Sequence, residues 1–67
     1  MQLSQWKEAK EDAFLRANKW FESGNIALRN GSTWEAERCN SYGFAWQAIA
    51  EHIDALLVES FVISQME

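Results

Sequence analysis

The sequence predicts an all-α protein, an antiparallel αα-hairpin that dimerises into a four-helix bundle. Three observations lead to this fold class. The 67-residue chain contains no proline and only three glycines, so few residues interrupt a helix. Apolar residues recur at steps of three and four in two long segments. One short polar break at 30–32 separates these segments, and a chain of this length predicts a single domain, 1–67.

The first helix is predicted over about residues 4–29, with Ser4 as its N-terminal cap. Gly24 could end or bend this helix. We expect it to continue, because Ala27 and Leu28 keep the same face, and a glycine there allows the second helix to approach closely. The predicted apolar face consists of Leu3, Trp6, Ala13, Phe14, Ala17, Trp20, Phe21, Gly24, Ala27 and Leu28.

The predicted turn covers residues 30–32. Asn30 and Gly31 are typical of a helix that stops in the left-handed conformation. Ser32 and Glu35 have the spacing of a capping box, in which the Ser32 side chain accepts from the Glu35 amide and the glutamate reaches back. A turn this short makes the two helices antiparallel neighbours.

The second helix is predicted over about residues 33–64. Its apolar residues include an unbroken series at alternating steps of three and four, which we call the seam. We expect the seam to pack against the first helix. The seam consists of Cys39, Tyr42, Trp46, Ile49, Ile53, Leu56, Ser60 and Ile63; Gly43, Ala50 and Leu57 widen it on one side and Ala45 on the other.

Further apolar residues of the second helix lie away from the seam, and a two-helix hairpin has no surface left to cover them. Leaving them in water forfeits roughly 1.5–3 kcal/mol for each large side chain. We therefore predict that they form a homodimer interface, called here the predicted dimer face. It consists of Phe44, Ala48, Ala55, Val58 and Val62. The alternative is a monomer whose helices break at Gly24 and Gly43 and fold into three or four short helices.

The net charge of −4 argues against direct binding to a nucleic-acid backbone. The second helix, which would be the recognition helix, has no lysine and more carboxylates than basic residues. The single cysteine excludes an internal disulfide, and the N-terminus lacks the pattern of a signal peptide. The longest apolar runs are too short to cross a bilayer. We expect a cytoplasmic protein that binds neither membrane nor nucleic acid.

No group of residues predicts catalysis, a cofactor or a metal site. Glu51 and His52 are adjacent, so on a helix they point about 100° apart and cannot bind one ion. Asp54 completes no metal-binding spacing with them, and one cysteine with one histidine cannot form a zinc site. Cys39 is a seam residue, for which a packing role is expected. We expect no enzymatic activity.

Four tryptophans could form a stacking platform, but Trp6, Trp20 and Trp46 lie on the predicted inner faces. Trp34 differs, because it lies in the first turn of the second helix beside the loop. We expect it to be partly exposed and to contact a protein partner, since tryptophan is a frequent anchor of interfaces.

The capped hairpin with its "NGS" turn and the seam from Cys39 to Ile63 resembles the Rop-like hairpins that dimerise into bundles. The layout is also similar to the small acidic helical accessory proteins from early regions of lambdoid phages. The chain departs from the RNA-binding Rop proteins because it lacks a basic helix face. The phage resemblance implies a non-enzymatic protein that modulates a host or phage factor by binding it.

The sequence thus predicts a homodimeric protein-interaction module with an unidentified protein partner. The alternative is a structural adaptor, a subunit of a complex whose exposed apolar residues contact a different protein. DNA mimicry by the acidic outer faces is a weaker option.

Overall fold

The computed structural model describes residues 3–66, which form two helices. Helix α1 comprises Leu3–Arg29 and helix α2 comprises Thr33–Met66. Lys10 of α1 pairs with Asp54 of α2, whereas Trp20, later in α1, contacts Tyr42, earlier in α2, so the helices run antiparallel. The predicted all-α, two-helix layout is confirmed, and residues 3–66 contain no strand.

The alternative of three or four short helices is wrong. Helix α1 continues through Gly24, and helix α2 continues through Gly43. The prediction that Ser4 caps α1 is also wrong, because the helix begins at Leu3 and places Ser4 inside the first turn.

The turn closes α1 with the pair of hydrogen bonds known as a Schellman motif. The Ser32 amide donates to the Ala27 carbonyl at 2.9 Å, and the Gly31 amide donates to the Leu28 carbonyl at 3.0 Å. Gly31 has a φ of 81°, so the predicted left-handed stop is confirmed. At the start of α2 the Ser32 carbonyl accepts from the Ala36 amide at 3.0 Å.

The side-chain bonds of the predicted capping box are absent from the described turn, where Ser32 contributes only backbone hydrogen bonds. Glu35 still places a carboxylate in the first turn of α2. There it faces the positive end of the helix dipole.

The contact between the helices is made chiefly by small residues. Gly24 and Gly43 are buried in the middle of it. The buried apolar residues of the described chain are Ala13, Ala17, Ala27, Ala36, Ala50 and Ile53. No large side chain among residues 3–66 is fully buried, so the hairpin core is thin.

The expectation that the seam packs against α1 is wrong for five of its eight members. Tyr42, Ile49, Leu56, Ser60 and Ile63 are exposed, whereas Ile53 is buried. The helices meet along the line that runs through Gly43 and Ala50, which the sequence predicted as the edge of the seam and not as its centre. Small residues on this line let the two backbones come close, and the larger seam residues are displaced to the side.

The two glycines of the contact show how close the approach is. A Cβ atom added at Gly43 would lie 2.6 Å from Cε1 of the Phe21 ring. One added at Gly24 would lie 2.5 Å from Oδ1 of Asn40 and 3.4 Å from the backbone oxygen of Ala36. The predicted role of Gly24 in close helix approach is therefore confirmed.

Candidate functional site

Two aromatic pairs mark the two sides of the hairpin. Trp20 and Tyr42 have ring centroids 4.9 Å apart, and Phe21 and Phe44 have centroids 5.1 Å apart in an edge-to-face arrangement. Trp20 and Phe21 are adjacent, so their side chains leave α1 about 100° apart. The two pairs therefore lie on opposite sides of the helix contact, and each side has its own exposed apolar face.

The predicted dimer face lies on the Phe21–Phe44 side and is exposed. The exposed fractions of Phe44, Val58 and Val62 are between 48% and 63%. Ala48 and Ala55 are exposed as well. The Phe21 ring of α1 packs edge-on against Phe44, yet all five residues of this face stay exposed, as expected of a single hairpin. That a second copy covers it stays a prediction.

Charged side chains interrupt the Phe21–Phe44 side near its middle. Glu51 lies seven residues after Phe44, on the same part of the helix surface, and accepts a hydrogen bond from Gln47 at 3.2 Å. Beside it, the Lys10 ammonium group lies 3.1 Å from the Asp54 carboxylate and forms a salt bridge. A partner that covers this middle part must provide hydrogen bonds or opposite charges to these side chains, or they must turn away from the interface.

The second exposed face lies on the Trp20–Tyr42 side, and we call it the seam face. It consists of Tyr42, Ile49, Leu56 and Ile63. These residues recur every seven positions, so they form one continuous stripe along α2. Their exposed fractions are between 39% and 57%.

The spacing of the seam residues in the sequence predicted that they belong to the hairpin core. The signal that could have corrected this lies one position further along the chain. Tyr42 precedes Gly43, and Ile49 precedes Ala50. Gly43 and Ala50 are seven residues apart, so they lie on one line along α2. Small residues on such a line let a second helix approach closely.

The loop end of the Trp20–Tyr42 side contains an aromatic cluster around Arg38. The exposed fraction of Trp34 is 67%, and the Arg38 guanidinium carbon lies 5.4 Å from its ring centroid. The same guanidinium group lies 5.9 Å from the Tyr42 ring, and its Nε donates to the Tyr42 hydroxyl at 3.3 Å. This hydrogen bond raises the pKa of Arg38, which stays protonated.

The cluster borders an open cleft of about 560 Å³. The cleft is lined by Trp20, Trp34, Glu35, Arg38, Cys39 and Tyr42. Tryptophan, tyrosine and arginine are the residue types that contribute most to binding energy at protein interfaces. The expected exposure of Trp34 is therefore seen together with a neighbourhood that suits a protein contact.

The chemically reactive residues do not come together. His52 is exposed, and Glu51 and Asp54 bond to residues other than His52. Cys39 is a half-buried free thiol. Among residues 3–66, no group of three or more His, Cys, Asp or Glu side chains has the arrangement of a metal site. In that same range, every buried side-chain nitrogen and oxygen has a hydrogen-bond partner.

The hairpin is long and exposes more surface than a compact chain of its mass. It measures 55 × 16 × 14 Å. Its radius of gyration is 15.7 Å, against about 11 Å for a compact domain of this length. Its accessible surface is 5302 Å², against about 4400 Å² for a folded monomer of 7.8 kDa, an excess of roughly 900 Å².

Comparison of the chain with protein-family models, with curated proteins and with solved structures finds no match. Between Leu3 and Met66, neither helix has a stretch apolar enough to span a membrane.

Proposed function

We propose that this protein is a non-enzymatic protein-interaction module that acts as a homodimer in the cytoplasm. The observation that supports the proposal is the mismatch between a thin core and a large apolar surface. The buried apolar side chains of the described range are those of five alanines and one isoleucine, whereas sixteen large apolar side chains are exposed there. Small helical proteins with so little core are commonly stabilised by oligomerisation.

The amount of exposed surface fits a pair of hairpins. The excess of roughly 900 Å² per chain is close to the 800 Å² that each partner buries in a standard protein interface. Two hairpins that bury this area form a four-helix bundle, in which each copy shelters apolar residues that its own α1 leaves exposed. A twofold dimer is the simplest closed arrangement of this kind.

Two apolar faces on opposite sides of one hairpin allow two contacts at once. One face can hold the second copy while the other remains available to a different protein. This arrangement suits the role that the phage resemblance implies, a phage-encoded modulator that binds a host or phage factor.

The aromatic cluster at the loop end favours a second candidate function, a structural adaptor in a heteromeric complex. Trp34 and Arg38 are exposed beside the cleft, and the Arg38 guanidinium group contacts rings of its own helix, α2. In this function the hairpin would be monomeric by itself, and its apolar faces would be covered by other subunits.

Size-exclusion chromatography with light scattering distinguishes the two functions. A mass of twice 7.8 kDa at micromolar concentration supports the homodimeric module. A folded monomer with its apolar faces open contradicts it and favours the adaptor. Affinity capture from the native host, with Trp34→Ala as a matched variant, then identifies the partner and tests the contact at the loop end.

A further inference from the structure

We infer that the second copy of this chain docks on the seam face, and that the predicted dimer face is left for a different protein. This inference rests on the proposed homodimeric function and goes further, because it specifies which surface forms the dimer. Three properties of the hairpin lead to it: the position of the seam, the distribution of charge, and the exposed area.

The position of the seam follows from the helix contact. Along α2, the small residues at positions 36, 43 and 50 face α1. Tyr42 and Ile49 each lie one residue before a member of this line, so they project about 100° away from it. A regular heptad stripe is the pattern by which a helix packs against another helix. Since α1 occupies the neighbouring line, the stripe is free to pack against a helix outside the hairpin.

The distribution of charge separates the two faces. The α2 residues three and four positions after Tyr42, Ile49 and Leu56 include one carboxylate and no lysine. They are Ala45, Trp46, His52, Ile53, Glu59 and Ser60, and Glu59 lies near the C-terminal end of the stripe, away from its middle. From α1, the Arg16 guanidinium group lies 5.1 Å from the Trp46 ring and pairs with Asp12 at 2.7 Å.

The predicted dimer face would bring like charges together in a symmetric dimer. If two α2 helices pack antiparallel about a twofold axis at the middle of this face, the axis falls near residue 53. The Glu51 carboxylates of the two copies then lie about 6 Å apart along the axis. Burying them there costs both desolvation and mutual repulsion.

The same symmetric packing on the seam face brings apolar residues together. The middle of the stripe between Tyr42 and Ile63 falls between residues 52 and 53. A twofold axis at this point places Ile49 of one copy opposite Leu56 of the other. The stripe is about 32 Å long, and the chain as a whole exposes roughly 900 Å² more surface than a compact monomer, about what one partner of a stable dimer buries.

Light scattering on two matched double variants tests the assignment. Ile49→Glu with Leu56→Glu alters the seam face, and Val58→Glu with Val62→Glu alters the predicted dimer face. All four residues are exposed in the hairpin, so the new carboxylates remain in water within one chain. We expect the seam-face pair to raise the dimer Kd by at least about a hundredfold, because dimerisation would bury four carboxylates. The other pair should change the Kd by less than about threefold.

Disulfide trapping provides a second measurement that does not depend on the charged variants folding. In a Cys39→Ser background, Ile49→Cys with Leu56→Cys should give a covalent dimer on mild oxidation. The two new thiols lie on one helix about 10 Å apart, too far to bond within a chain. The control, Phe44→Cys with Val62→Cys in the same background, should stay uncrosslinked.

The outcomes separate the two proposals. A wild-type monomer would overturn the homodimeric function and this inference with it. A wild-type dimer that survives the seam-face changes but dissociates with the Val58 and Val62 changes, or crosslinks only through positions 44 and 62, would overturn the inference alone. A dimer that responds to the seam-face pair in both assays supports it.

Discussion

The close packing at Gly43 allows one substitution to be predicted in both sign and size. In Gly43→Ala, the new methyl group would lie 2.6 Å, 2.7 Å and 3.0 Å from three carbon atoms of the Phe21 ring. The ring has little room to move away, because its neighbour Phe44 lies edge-on at a centroid distance of 5.1 Å. Either the ring leaves its position or the two helices separate locally.

Two opposing effects determine the magnitude. Overpacking of this kind typically costs about 1–3 kcal/mol. Replacing glycine by alanine inside a helix contributes about 1 kcal/mol in the stabilising direction. We therefore expect Gly43→Ala to lower the free energy of unfolding by about 1 kcal/mol and the Tm by roughly 4–8 °C for a domain of this size.

Thermal unfolding followed by circular dichroism measures this effect. All samples must be compared at one protein concentration, since the Tm of an oligomer depends on it. The matched control is Gly24→Ala, where the closest atom, 2.5 Å away, is the end of the rotatable Asn40 side chain. We expect its loss of stability to be smaller than that of Gly43→Ala.

A background variant identifies the cause of the loss. Phe21→Val removes the three ring atoms that the new methyl group would meet. In that background Gly43→Ala should become stabilising by about 1 kcal/mol, because only the helix-propensity gain remains. If Gly43→Ala raises the Tm in the wild-type background, or if Phe21→Val leaves its effect unchanged, the close contact described here is incorrect.

Three further predictions concern the turn, the core and the surface. Gly31→Ala should lower the free energy of unfolding by about 1–2 kcal/mol, because alanine is strained at a φ of 81°. Gly31→Asn should lower it less, and equal losses of stability in thermal melts would contradict this reason. Ala50→Leu should lower it by roughly 1–3 kcal/mol, since Ala50 is completely buried, whereas an unchanged melting curve would mean that the helices do not meet there. Asp54→Asn should change the free energy of unfolding by less than about 1 kcal/mol, because the salt bridge with Lys10 is partly solvated. A larger loss of stability in a denaturant titration would contradict this.

The local features of the fold could be predicted from the sequence because neighbouring residues determine them. Two long segments without proline form helices, and the spacing of their apolar residues was sufficient to place both. The stop at Gly31 was predictable because only a few residue types tolerate a positive φ. The continuity of α1 through Gly24 was predicted from residues that follow on the same face.

The candidate site was predictable only in part. The sequence identified exposed apolar residues such as Phe44 and Val58, as well as the exposure of Trp34. It did not reveal that Tyr42 and Ile49 belong to a second exposed face, because their spacing alone is equally typical of a seam inside a hairpin. Spacing describes a stripe on a helix, but not the neighbour that packs against it.

The sequence by itself therefore determined two helices, the turn between them and the excess of apolar residues on α2. Only the tertiary structure decided which line of α2 meets α1. Several lines on a helix rich in apolar residues can serve as a contact, and the choice depends on how closely two backbones can approach. Gly24 and Gly43 permit the closest approach, so the small residues meet, and the larger residues on both sides remain exposed.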